Sequence, residues 1–226
     1  REDGWRHLLN FGWLTLAALG VFLPMGTYFF QNWGQFTERA GITTYNTLGP
    51  GADSVPLALL NNVWRTVGGL SLAGFGDVIA RHNVPGRPVF DVFLSILFWL
   101  GVGVLIWQWK RPIRQAQGAP FAIILISWAG VMLLPVILTD GAPTYTRIFG
   151  AIPALAAITG LSFAIPKRLT NDKGRWAIYG VLGILLLLSL VTTTYDYFVR
   201  WANEPALFDQ FQVADWQAAN LAKEQL

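Results

Sequence analysis

GDVIARHNVPGRPVFDVFLSILFWLGVGVLIWQW, residues 76–109, sets two kinds of chain side by side. Its first sixteen residues carry two Asp, two Arg, a His, an Asn and two Pro, whereas residues 92–109 carry no charge at all. As a helix rising ~1.5 Å per residue, the second part would be roughly 27 Å long. That is close to the ~30 Å hydrocarbon core of a bilayer.

Four further runs repeat the pattern, at 8–30, 119–139, 148–166 and 176–194, and none contains Lys, Arg, Asp or Glu. The 226 residues are 54% hydrophobic and 13% charged, against about a quarter charged in soluble domains. A soluble helical core would need a polar face on each helix, and these runs have none. The expected fold is therefore all-α, a polytopic transmembrane helical bundle of about five spans. The transmembrane region covers 1–195, with a long loop at 31–91, and residues 196–226 form a separate C-terminal segment.

The placement of Lys and Arg gives the expected orientation. Segments 1–7, 110–118 and 167–175 hold nine basic and three acidic residues; segments 31–91, 140–147 and the tail from 195 hold seven and ten. Basic loops stay on the cytoplasmic side, so loop 31–91 and the C-terminus belong outside. The net charge of +3 then marks topology, and no nucleic-acid partner is needed to explain it. The chain has no Cys and only His7 and His82, which leaves no thiolate or multi-histidine metal site to read. Arg1–His7 does not resemble a signal-peptide start, and the chain is expected to be an internal fragment of a longer membrane protein.

Within loop 31–91, Leu57, Leu60, Trp64 and Val67 recur at helical spacing inside residues 56–72. The run is too short and polar to span, so an interfacial helix is predicted. Pro85-Gly86 signals a turn that would draw Arg81, His82 and Arg87 together. In the tail, Pro205 suits the first position of a helix, with Phe208, Phe211, Ala214, Ala218 and Leu221 along one face.

Arg offers a planar fork of donors matched to phosphate. Arg81 and Arg87, flanking His82 and Asn83, could thus hold a lipid-linked phosphate. Equally, the loop could be solvated, its charges paired with Asp77 and Asp91. Arg147 could face the same anion or snorkel as an interfacial anchor, and Tyr145 could donate a hydrogen bond there or join the aromatic belt. Asp77 and Asp140 are single acids, for which structural roles are expected. There is no P-loop, G-x-S-x-G, H-E-x-x-H or dinucleotide fingerprint. The mid-span positions carry no ionisable residue, against a proton-coupled transporter.

The succession YFFQNWGQFTERAG, NNVWRTVGGLSLAGFGDVIARHNVPGRPVFD, SILFWLG, DGAPTYTRIFGAIPALAAITGL and YDYFVRWANEP resembles a known family. It is similar to the C-terminal half of bacterial membrane glycosyltransferases of the protein O-mannosyltransferase and aminoarabinose transferase superfamily. The resemblance implies an inner-membrane enzyme that moves a sugar from a polyprenyl-phosphate donor to an acceptor on the outer side, with no cofactor. It further implies a catalytic acid in an outer loop upstream of this chain, so that no catalytic residue is expected here. This part would supply the cavity wall and a lid or phosphate clamp built from Arg81, His82, Asn83, Arg87, Tyr145 and Arg147. Membrane lipid and the lipid-linked sugar are the implied partners, the acceptor being open. The alternatives are a transporter or flippase segment and a non-enzymatic scaffold that binds lipid phosphate.

Overall fold

A computed structural model describes residues 2–109, 119–166 and 172–224. The chain is helical, with no strand among those residues. Helices α1 (Glu2–Gln31), α2 (Trp33–Thr43) and α3 (Val55–Ser71) come first, then α4 (Val92–Trp109) and α5 (Ala119–Ile137). Short 3₁₀ turns flank α6 (Ile152–Gly160) on both sides. Helix α7 (Asp172–Tyr195) runs directly into a π-helical turn at Asp196–Arg200 and a 3₁₀ turn at Trp201–Asn203. Helices α8 (Ala206–Gln210) and α9 (Val213–Glu224) close the described chain.

The core lies between α4, α5 and α6. Leu97, Phe98, Leu105, Ala122, Leu125, Val136, Ile148, Ala151, Leu155 and Ile158 are all buried. Small residues set the distance between these helices. A Cβ on Gly101 would stand only 1.9 Å from the Ile158 carbonyl oxygen, so the α4 and α6 backbones nearly touch. Such close approach brings backbone and side-chain atoms of both helices into van der Waals contact. Trp128 Nε1 donates to the Gly150 carbonyl at 2.9 Å and joins α5 to the turn before α6.

The outward flanks of these helices are apolar. No residue of α1 from 9 to 31 is buried, and Val21 and Phe30 are more than four-fifths exposed. Among the described residues two stretches are long and apolar enough to cross a membrane, Leu9–Gln31 and Asp172–Asn203. The other three apolar runs form shorter helical stretches, Val92–Gln108, Phe121–Ile137 and Phe149–Ala164. Pro153 and the two flanking 3₁₀ turns divide the last of them, because Pro cannot donate a backbone hydrogen bond to the turn before it.

The helix predicted over 56–72 is α3, with Pro56 in its first turn. Loop 31–91 holds a second helix, α2, which the sequence reading leaves as loop. It follows α1 after a break at Asn32, whose φ of −115° and ψ of 45° are not helical. The tail differs too. Its single predicted helix is two, separated at Phe211–Gln212, where Gln212 takes φ 53°. A residue in the left-handed region ends a helix. The basic segments 110–118 and 167–171, on which the orientation rests, lie outside the described residues.

Candidate functional site

The polar half of the opening stretch folds as a loop clamped from three sides. Residues 84–87 form a turn in which the Arg87 N–H donates to the Val84 carbonyl at 3.0 Å. Pro85 and Gly86 occupy its centre, and Gly86 has φ 75°, as a type II turn requires at that position. On one side the loop pairs with the end of α3, since Val89 N–H donates to Gly69 O and Phe90 N–H to Leu70 O, each at 2.9 Å. Asp91 then caps α4, its Oδ1 accepting from the Phe93 and Leu94 N–H groups at 2.8 and 3.0 Å. Two of the orphan donors at a helix start are thereby satisfied.

On the second side stands Tyr145. Its hydroxyl lies 2.6 Å from the Arg87 carbonyl oxygen and 3.0 Å from that of Gly69, and donates its one proton to either. Burial pushes this phenol well above its ordinary pKa. It therefore remains a neutral donor. The Tyr145 N–H donates at 2.8 Å to Asp77 Oδ2, which also meets His82 Nδ1 at 3.0 Å. Asp77 is 2% exposed, and its other oxygen accepts from the Ile79 N–H.

The third clamp is the C-terminal end of α7. Arg87 Nε donates to Asp196 Oδ2 at 2.7 Å, and one terminal nitrogen donates to Thr193 Oγ1 at 2.9 Å. The guanidinium also lies 5.0 Å from the centre of the Tyr197 ring, within cation–π range. Thr193 and Ser189 both donate to Asp91 Oδ2, so one polar chain links Arg87, Thr193, Asp91 and Ser189. Tyr197 donates to Asn83 Oδ1 at 2.9 Å, Trp201 Nε1 to the Ala80 carbonyl at 2.6 Å, and Asn83 Nδ2 to the Arg87 carbonyl at 2.7 Å.

The predicted residues therefore divide. Arg87, Asn83 and Tyr145 converge on the Arg87 carbonyl, and His82 joins them through Asp77. Arg87 and Asn83 are buried. The anticipated partners are exchanged: Arg87 meets Asp196, His82 meets Asp77, and Asp91 caps a helix. Arg81 is exposed; its N–H donates to Gln210 Oε1, and its guanidinium has no partner among the described residues. Arg147 donates to the Thr139 hydroxyl and is partly exposed. Asp140 accepts from the Asn46 N–H and the Thr47 hydroxyl and ties the end of α5 to the turn after α2.

Sequence reading missed Asp196, Thr193 and Tyr197. The available signal is a lone acid directly after a long apolar run, with Arg200 four residues on. It missed Arg65 as well, which lines a cleft of about 220 Å³ with Gly74, Phe75, Gly76, Val78 and the 141–143 turn. Among the described residues no group of three His, Cys, Asp or Glu could hold a metal ion.

In class, the described residues form an all-helical protein with two helical stretches of membrane-spanning length and a hydrogen-bonded polar loop at the end of the helical core. Compared with protein families, characterised proteins and solved structures, the chain matches none.

Proposed function

We propose that the chain is part of an integral membrane glycosyltransferase that takes a sugar from a polyprenyl-phosphate donor on the outer side of a bacterial inner membrane. On this reading the five apolar runs form a polytopic bundle, with loop 31–91 and the C-terminus outside. The observation that carries it is the fixed polar loop 76–91. At the end of helices with apolar flanks, it presents the exposed Arg81, while Arg87, His82, Asn83 and Tyr145 hold its shape. Arg147, on the separate 145–147 turn, keeps guanidinium donors beyond its bond to Thr139. Fixed cations stabilise a departing phosphate without reorganising as charge develops.

The chemistry divides accordingly. The bond from the anomeric carbon to the phosphate oxygen breaks, and polyprenyl phosphate leaves with the electron pair. The acceptor oxygen bonds to that carbon and gives its proton to a carboxylate elsewhere in the enzyme. The residues described here bind and orient the phosphate end. Cells from which the complete reading frame is deleted should accumulate one polyprenyl-phosphate sugar and lose one glycosylated product, both read by mass spectrometry of lipid and protein extracts. An unchanged lipid-linked sugar pool with all glycans intact would remove the enzyme and leave a lipid-phosphate-binding scaffold.

The orientation has its own test. A cysteine replacing exposed Asp53 should react with an impermeant maleimide added to intact cells, and one replacing exposed Asp172 should react only after the membrane is opened. The reverse labelling pattern would place the polar loop in the cytoplasm.

A further inference from the structure

The cleft beside Arg65 shares Gly76 and Val78 with the polar loop, but Arg65 itself takes no part in the clamp. We propose that it binds an amphiphilic phosphate, with the anion on Arg65 and the first carbons of the chain on the aromatic pair beside it. The tail half of this inference rests on the lipid-linked reading above; the anion half does not.

Arg65 stands on α3 with its side chain exposed and without a partner among the described residues. Arg stays charged in any surroundings met here and presents several donors in one plane. The acids closest in sequence to the cleft wall are already engaged. Asp77 spends both oxygens on Ile79, His82 and Tyr145, and Asp140 spends its own on Asn46 and Thr47. Neither carboxylate is left to neutralise Arg65, so its charge is free for a ligand.

The second observation is the apolar lip. Phe75 lines the cleft and packs edge-on against Trp64, with ring centres 6.1 Å apart. Val78, also in the wall, is 75% exposed, and Trp64 is 61% exposed. Trp at a membrane interface keeps an apolar body beside a polar edge, and Trp64 and Arg65 are consecutive. A cation and an aromatic ledge at one opening suit a molecule with a charged head and a hydrocarbon chain. A free sugar, or a soluble anion alone, would leave the ledge wet. The wall itself is preformed: Gly74 and Gly76 N–H groups both donate to the Gly86 carbonyl, which fixes the cleft to the turn of the polar loop.

The test uses the complete protein in detergent micelles and isothermal titration with three probes: geranyl phosphate, inorganic phosphate and geraniol. Geranyl phosphate should bind at least tenfold tighter than either of the others. Arg65→Ala should weaken it tenfold or more, and Arg65→Lys, which keeps the charge without the fork, should weaken it less. Because Arg65 is exposed and unpaired, its replacement should leave the thermal unfolding midpoint unchanged. Val78→Asp, a charge on the apolar lip, should weaken geranyl phosphate binding too. Equal binding of geranyl phosphate by the wild type and Arg65→Ala overturns the cleft and leaves the lipid-linked reading standing. Inorganic phosphate binding as tightly as geranyl phosphate, and lost in Arg65→Ala, overturns the amphiphile and with it the lipid source. No binding of any probe overturns both.

Discussion

Replacing Arg87 by Ala should destabilise the protein by about 3–5 kcal/mol, the usual cost of leaving one member of a buried ion pair without its partner. Both side chains of the Arg87–Asp196 pair are less than a tenth exposed, and the bond is 2.7 Å long. Water cannot take over when the guanidinium is removed. Asp196 would keep only Arg200, whose side chain is more than half exposed, and Thr193 and the Tyr197 ring would lose a neighbour. The measurement is the midpoint of SDS-driven unfolding in mixed micelles, followed by the near-ultraviolet signal of the Trp residues. A loss under about 1 kcal/mol, the range of exposed ion pairs, would mean that the pair is solvated and the loop only loosely held. The double variant Arg87→Met with Asp196→Leu separates charge from packing. It should recover most of the loss, because two apolar groups in such a site leave no charge to solvate.

Gly101→Ala should also be damaging, at the middle of α4. The added methyl would meet the Ile158 carbonyl oxygen at 1.9 Å and its carbon at 2.8 Å. Both are backbone atoms of α6, so no side-chain rotation relieves the clash and the two helices must part. Overpacking of this kind costs about 1–3 kcal/mol. Here the separation also loosens Phe98 and Leu105 on α4 from Leu155 and Ile158 on α6. The same unfolding assay reads the effect, with Gly103→Ala as the internal comparison, since a Cβ there meets nothing within 4 Å. Equal effects at the two glycines would show that helix propensity, and not the close crossing, governs α4.

The two sites differ in how far the sequence reveals them. Residues 92–109 contain no charge and begin after Asp91, and α4 occupies the same residues. Composition and capping are local properties, and the chain states them directly. The helix over 56–72 was legible for the same reason, to within one residue at each end. Membrane-spanning length is less directly written. Residues 148–166 read as one apolar run, yet Pro153 and small residues break it into short turns.

The loop was legible as a cluster and not as a circuit. Nothing local says that Arg87 will choose an acid 109 residues away over Asp91, only four residues on. The reason appears only in three dimensions: Asp91 is needed at the start of α4, where two N–H groups would otherwise be orphaned. Pairing among charges is decided by which groups the helices bring together, and spacing along the chain does not encode that. Arg65 was invisible for the complementary reason. Its standing depends on what its neighbours are already doing.

The π-helical turn at Asp196–Arg200 has a consequence for how this tail tolerates length changes. A π turn accommodates one residue more than the α-helical ladder it interrupts, and each residue advances a helix by about 100°. The turn thus takes up one residue of length between α7 and everything after it. Removing one residue within the turn would let the helix continue without a break and leave Trp201 and the tail facing as they do, whereas removing one from α7 itself would turn Tyr197 and Trp201 by about 100° away from Asn83 and Ala80. Length changes are cushioned inside the turn; outside it, a single deletion swings the whole row of contacts out of register together.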